Sequence, residues 1–206
     1  MVGRAHRERS GTPYDLLVVG LGNPGSEYAR TRHNVGADVV DLLGRRHDIR
    51  LKADRKVSSL AGDGRVGGRR LALAFPTTYM NDSGLAVSQL VRRYGIDDLS
   101  GLLIVHDELD LPQGRIKLKV GGGLAGHNGL RSIASHLKSP DFLRIRIGVG
   151  KPPGGPERGA DWVLGRVGTR DRAELDVAIA EAADAAEMAL DGRFEAAMQR
   201  YNATSA

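Results

Sequence analysis

Two polar side chains able to act on a substrate, Asn23 and His33, lie in the stretch Gly20-Leu21-Gly22-Asn23-Pro24-Gly25-Ser26-Glu27-Tyr28-Ala29-Arg30-Thr31-Arg32-His33-Asn34. It follows an apolar run, Leu16 to Val19, and precedes a segment in which Val35, Val39, Leu42 and Leu43 recur at helical spacing. The order is therefore buried strand, open loop, helix. In an α/β protein this puts the loop at the carboxyl edge of a sheet, where ligands bind. Helix amides just beyond His33 favour its neutral imidazole, the form that accepts a proton, whereas a carboxylate on the other ring nitrogen pulls toward the charged form. Taken alone, His33 reads more simply as the surface neighbour of a helix-capping Asn34.

Further loops carry polar groups in the same way. Pro76-Thr77-Thr78-Tyr79-Met80-Asn81-Asp82-Ser83-Gly84 leads from a strand into a helix bearing Leu85, Val87, Leu90, Val91 and Tyr94, and on composition alone Asn81 is an ordinary cap there. Leu102 to Val105 is a continuous apolar run, the mark of a strand covered on both faces, and it exits into His106-Asp107-Glu108-Leu109-Asp110. Asp107 is expected to partner a histidine, with the other acids solvated. A hard-metal site would call for a second carboxylate cluster, which the chain lacks at ligand spacing. The loop Gly121-Gly122-Gly123-Leu124-Ala125-Gly126-His127-Asn128-Gly129 permits close approach of a ligand, but no Gly-Lys-Ser/Thr closes it as in a P-loop, and Gly20-Leu21-Gly22 lacks the third glycine of a dinucleotide fingerprint. Nucleotide cofactors are not expected. The absence of cysteine removes thiolate zinc sites and a cysteine nucleophile, and neither a Gly-x-Ser-x-Gly elbow nor a His-Glu-x-x-His helix is present.

The elements that must position these groups fit one domain over 16–206, preceded by a polar leader, 1–15, carrying Arg4, Arg7 and Arg9 and read as disordered or a tag remnant. The 206 residues hold no apolar run of membrane-spanning length, and the lack of cysteine is compatible with a reducing cytoplasm. Lys56 to Gly62 and Arg69 to Phe75 read as a hairpin across the glycine-rich turn 62–68. Arg115 to Val120 alternates, with Arg115, Lys117 and Lys119 on one face and Ile116, Leu118 and Val120 on the other. A helix over 130–137 carries Arg131, and the strand 142–149 adds Arg144 and Arg146 to the cationic face. Net charge is +5, but residues from 161 onward hold nine acids against five Arg, so residues 1–160 carry +9. That body suits a polyanionic partner, while the acidic, Ala-rich helix 169–190 is expected to cover the sheet far from the ligand.

Five motifs, in this order, resemble the bacterial-type peptidyl-tRNA hydrolases: Gly20-Leu21-Gly22-Asn23-Pro24-Gly25; Tyr28 with Thr31-Arg32-His33-Asn34; Pro76-Thr77-Thr78-Tyr79-Met80-Asn81; His106-Asp107-Glu108-Leu109-Asp110; and Gly126-His127-Asn128-Gly129-Leu130. The likeness spans about Leu16 to Tyr201. It implies a monomeric, cytoplasmic α/β protein with a twisted, mostly parallel mixed β-sheet flanked by helices. The implied activity is hydrolysis of the ester joining a peptide to the 3′-terminal ribose of tRNA, with peptidyl-tRNA as partner and no metal or other cofactor. Position by position, His33 matches the catalytic base and Asp107 its orienting carboxylate; Asn23, Asn81 and Asn128 match asparagines that hold substrate and water; Met80 and Tyr28 match crevice residues. Lys117, Lys119 and Arg146 match positions associated with tRNA, to which the charge map adds Arg131. Leu124-Ala125 departs from a place where the family often has glycine or polar residues. The competing readings are a non-catalytic RNA-binding relative and a generic serine or metallo-hydrolase.

Overall fold

The continuous apolar run 16–19 is apolar at every position because both faces of its strand are covered. In the computed structural model, which describes residues 13–203, Leu16 and Val18 face one hydrophobic core and Leu17 and Val19 another. This strand, β1 (Leu16–Gly20), lies near the middle of a seven-stranded sheet with β2 (Lys52–Asp54), β3 (Ser59–Val66), β4 (Arg69–Pro76), β5 (Leu102–Glu108), β6 (Ile116–Val120) and β7 (Leu143–Gly148). The spatial order is β2-β3-β4-β1-β5-β7-β6. Strands β4, β1, β5 and β7 run parallel, and β2, β3 and β6 are antiparallel at the two edges. Helices α1 (Val35–Arg46), α5 (Thr169–Leu190) and α6 (Phe194–Asn202) cover one face; α2 (Ser83–Tyr94) and α3 (Asn128–Leu137) cover the other. A short helix, α4 (Gly159–Leu164), follows the Pro/Gly-rich loop.

The crossover from β1 into α1 is unusually close. A methyl group on Gly20 would collide with the Gly36 carbonyl, and one on Gly36 with the Val105 carbonyl, so both glycines let helix backbone lie directly on strand backbone. The Leu21 amide donates to Val105 O at 2.9 Å, tying the intervening loop to the tip of β5.

Several expectations change. The hairpin turn is only Gly67-Gly68, both with positive φ, while Gly62 and Gly64 lie inside β3, where the Arg50 carbonyl crosses too close to Gly62 for a side chain and the Ile49 side chain packs on Gly64. His106, Asp107 and Glu108 do not leave the strand: β7 is long enough to pair with all three, and every residue of β5 is buried. Glu108, expected in solvent, is instead ion-paired to Arg146 at 3.1 Å. Leu85 is 44% exposed because Ala86, Val87 and Leu90 form the buried side of α2, and Val120 faces solvent at the end of edge strand β6. Residues 1–12 of the expected leader lie outside the described residues. Tyr14 and Asp15 belong to the fold, their amides donating to Tyr94 O at 3.2 Å and Arg70 O at 3.0 Å.

Candidate active site

Asn34 decides where His33 points. Its side chain does not cap α1; it reaches back across the loop, with Oδ1 accepting from the Asn23 amide at 2.9 Å and Nδ2 donating to Asn23 O at 2.9 Å. This buried two-bond clasp closes the loop and sets the turn Arg32–Asn34 over the carboxyl end of β5. There His33 Nδ1 meets Asp107 Oδ1 at 2.8 Å, bringing together two groups 74 residues apart. The same oxygen takes a second imidazole, His127 Nε2, at 3.1 Å. His106 lies behind, its ring edge-on to His127 at 5.0 Å and its Nδ1 donating to Asp107 O at 2.7 Å.

Burial opposes charge on all these groups, and partners decide which of them keep it. For His33, burial alone lowers its proton affinity, but Asp107 outweighs this and the net shift is upward. Burial likewise raises Asp107, yet His33 and His127 hold it far below the usual carboxylate range. His106 has no carboxylate on its ring, and burial with the nearby His127 pushes it down to about 3.

His33 and Asp107 lie in a crevice of about 370 Å³ that Asn23, Met80, Asn81 and Asn128 also line. Tyr79, 60% exposed, stands at its lip, and Val163 and Leu164 of α4 form an apolar wall. Two of the carboxamides have their orientation fixed by what they already bind. Asn23 Oδ1 accepts from the Met80 amide at 2.8 Å, and Asn128 Oδ1 accepts from Arg131 Nη2 at 2.9 Å. Each therefore keeps its Nδ2 donors for a ligand. Tyr28 is not brought to this crevice: it ends the short turn Ser26–Tyr28, where its carbonyl accepts from Thr31 Oγ1 at 2.8 Å and shapes the loop instead.

The cations divide by burial. Lys117 faces Arg146 and Lys119 faces Arg144 across the β6–β7 ladder, on the sheet side away from the α5 and α6 core. Arg144 is buried, and its guanidinium donates to the carbonyls of Gly121, Gly122 and Gly123, fixing the start of the glycine loop. Ala125 in that loop takes a φ of 48°, a conformation that favours glycine. Lys119 is held below its ordinary value by desolvation and by Arg144 and Arg146, the imprint of positive charges crowded together. Arg131 is exposed but engaged, donating to Gly126 O at 2.7 Å as well as to Asn128.

Sequence reasoning missed His127 and α4. The N-terminal end of α5 reaches the turn that carries His33, where Asp171 binds Arg32 at 2.7 Å and Arg32 lies 3.6 Å from the ring centre of Trp162 on α4, but none of the residues lining the crevice comes from α5. The one available signal for His127 was its place between two motif residues, Gly126 and Asn128. His33, Asp107 and His127 form the trio, among the described residues, whose potential metal-ligating atoms converge within 4.8 Å; here both imidazoles are turned onto one carboxylate oxygen as hydrogen-bond partners.

The family model for peptidyl-tRNA hydrolase matches residues 17–206. The peptidyl-tRNA hydrolase of Mycolicibacterium gilvum is 47% identical over 190 residues, 92% of this chain and 98% of its own. That of Mycobacterium tuberculosis is 46% identical over 188 residues, covering 91% and 97%. The crystal structure of peptidyl-tRNA hydrolase from Acinetobacter baumannii superposes with a TM-score of 0.87 at 43% identity, covering 94% of this chain and 98% of that one. By fold, by motif order and by these likenesses, the chain belongs to the peptidyl-tRNA hydrolase family.

Proposed function

We infer that this protein hydrolyses the ester between peptide and tRNA in peptidyl-tRNA, freeing the tRNA for reuse, with His33 as general base. The observation that carries the assignment is the His33–Asp107 pair inside a crevice lined by three asparagines. Because Nδ1 is engaged by Asp107, Nε2 is the nitrogen left to take a proton from water as that water attacks the ester carbonyl. Asp107 holds the tautomer and stabilises the imidazolium that forms. Asn23 and Asn128, each with its oxygen occupied, supply N–H donors to the developing oxyanion, where loss of one donor typically costs about 2.7–4 kcal/mol. Asn81, exposed at the rim, retains both an acceptor and donors and suits the peptide backbone, which makes recognition indifferent to side chains. Met80 packs beneath the crevice.

Lys117, Lys119 and Arg146 form the surface for tRNA phosphates, with Arg131 contributing mainly by holding Asn128. Among the described residues no helix is long and apolar enough to cross a membrane. A monomer working in the cytoplasm fits a substrate generated by translation and a chain without cysteine.

The test is incubation with peptidyl-tRNA in excess chelator, beside a His33→Ala variant. Release of tRNA and intact peptide by the parent alone supports the assignment. Binding without release by the parent supports the non-catalytic relative instead.

A further inference from the structure

We propose that His127 sets the proton affinity of His33 by sharing its carboxylate. The inference rests on His33 being the base, and it concerns what keeps that base in its working form.

Two ring nitrogens converge on one atom, Asp107 Oδ1, at 2.8 Å from His33 and 3.1 Å from His127. The protonation of His127 follows from its other nitrogen: Nδ1 accepts from the Leu130 amide at 3.4 Å, so the ring proton sits on Nε2 and is donated to Asp107. His106, neutral and packed edge-on at 5.0 Å, buttresses the ring in this orientation. A carboxylate that already accepts one hydrogen bond is a weaker partner for a second, because each donor stabilises its negative charge and reduces the field felt by the other. His33 thus receives enough of Asp107 to fix its tautomer without being locked as imidazolium. Were His127 unable to donate, the whole of Asp107 would act on His33, and the neutral fraction at a given pH would fall.

The neighbouring charges leave this control to the trio. Glu108, next along β5, is engaged by Arg146, and the Arg144 guanidinium is taken up by the glycine-loop carbonyls. Arg32, adjacent in sequence, points to Asp171 and Trp162. The α4 wall offers Val163 and Leu164, and the Met80 turn offers Asn81, none of them titratable. His127 is therefore a positioning and tuning residue that acts through Asp107.

The experiment is an NMR titration of the imidazole nitrogens in the full-length protein, run beside pH profiles of kcat/KM. His127→Phe keeps a ring against His106 and removes the N–H; the His33 midpoint and the acid limb of the profile are expected to rise together by about half to one pH unit. His127→Gln, whose amide can donate to Asp107, is expected to return both toward the parent. If the Phe variant does not fold, His127→Ala is read in the same titration. An unmoved His33 midpoint in the donor-free variant overturns the proposal, as does an equal shift in the Gln variant, since either separates the effect from the hydrogen bond. Failure of the functional reading is distinguishable: a His33→Ala enzyme that still turns over removes the base assignment, whereas the titration reports the coupling whatever the activity.

Discussion

Asp107→Asn removes the charge behind His33, the proposed base, while nearly conserving shape. In the parent, Asp107 is 3% exposed and its carboxylate faces His33 at 2.8 Å, so little solvent screens the pair. Opposite charges centred about 4 Å apart at an effective dielectric of about 20 attract by about 4 kcal/mol. That interaction is absent while His33 is neutral and present once it has taken the proton from water, so it lowers the barrier rather than the energy of the bound substrate. About 4 kcal/mol corresponds to roughly a thousandfold in kcat, and a misplaced tautomer in the carboxamide can extend this toward about ten-thousandfold. KM should change little, because Asp107 is almost wholly buried and its carboxylate is engaged by His33 and His127. The pH profile gives the second readout. In the parent His33 is shifted upward, so activity is gained as pH climbs through that raised value; without the carboxylate, burial alone acts, and the acid limb of the residual activity moves to lower pH. The assay is tRNA release from a peptidyl-tRNA at saturating substrate from about pH 5 to 9. A kcat within tenfold of the parent, with the limb unmoved, would refute the reasoning.

Three further outcomes can be checked. Charge reversal at Lys117 and Lys119 together is expected to raise KM at least about tenfold with kcat retained, and to flatten the dependence of binding on salt by roughly one unit of slope per lysine; unchanged tRNA affinity at low salt removes the phosphate surface. Asn34→Ala loses both bonds of the buried clasp, which should lower unfolding stability by about 2–4 kcal/mol in urea titrations and reduce kcat through a loosened His33 turn; a variant as stable and as fast as the parent counts against the clasp. His106 stays neutral in the folded protein down to about 3, whereas in the unfolded chain it binds a proton near its ordinary value of 6.5. Between those values the unfolded state holds the extra proton, so stability falls with falling pH by up to about 1.4 kcal/mol per unit. His106→Phe should make the curve shallower across that window, and parallel curves for parent and variant would remove the assignment.

The parts of the molecule legible in sequence are those where one local pattern has one structural solution. Leu16 to Val19 had to be a strand covered on both faces, and α5 was readable over its full length, Thr169–Leu190, because 22 residues of helix-forming composition leave few alternatives. The site was legible through motifs, which placed His33, Asp107 and the three asparagines; the spacing of the residues did not place them. What failed was the inference from polarity to exposure. His106, Asp107 and Glu108 look like a strand's solvated exit, yet the two acids are compensated by residues distant in the chain, His127 and His33 for Asp107 and Arg146 for Glu108, while His106 loses its charge. No window of a few residues contains those partners.

The same burial sets how strongly Asp107 acts on the two imidazoles that share it. A surface pair is screened by water and contributes on the order of 0–1 kcal/mol. Carrying β5 three residues past its apolar core moves Asp107 out of water, and pairing with β7 satisfies the strand backbone while it does so. Desolvation would expel the charge if His33 and His127 did not approach it, and neither would approach without Asn34 closing one loop and Arg144 fixing the start of the other. The substitution that should discriminate this view is therefore remote from substrate: Arg144→Met keeps the buried volume but releases the three glycine carbonyls. It is expected to loosen His127 and Asn128 together, lowering kcat by about tenfold or more, whereas a loop that holds its own shape would leave kcat unchanged.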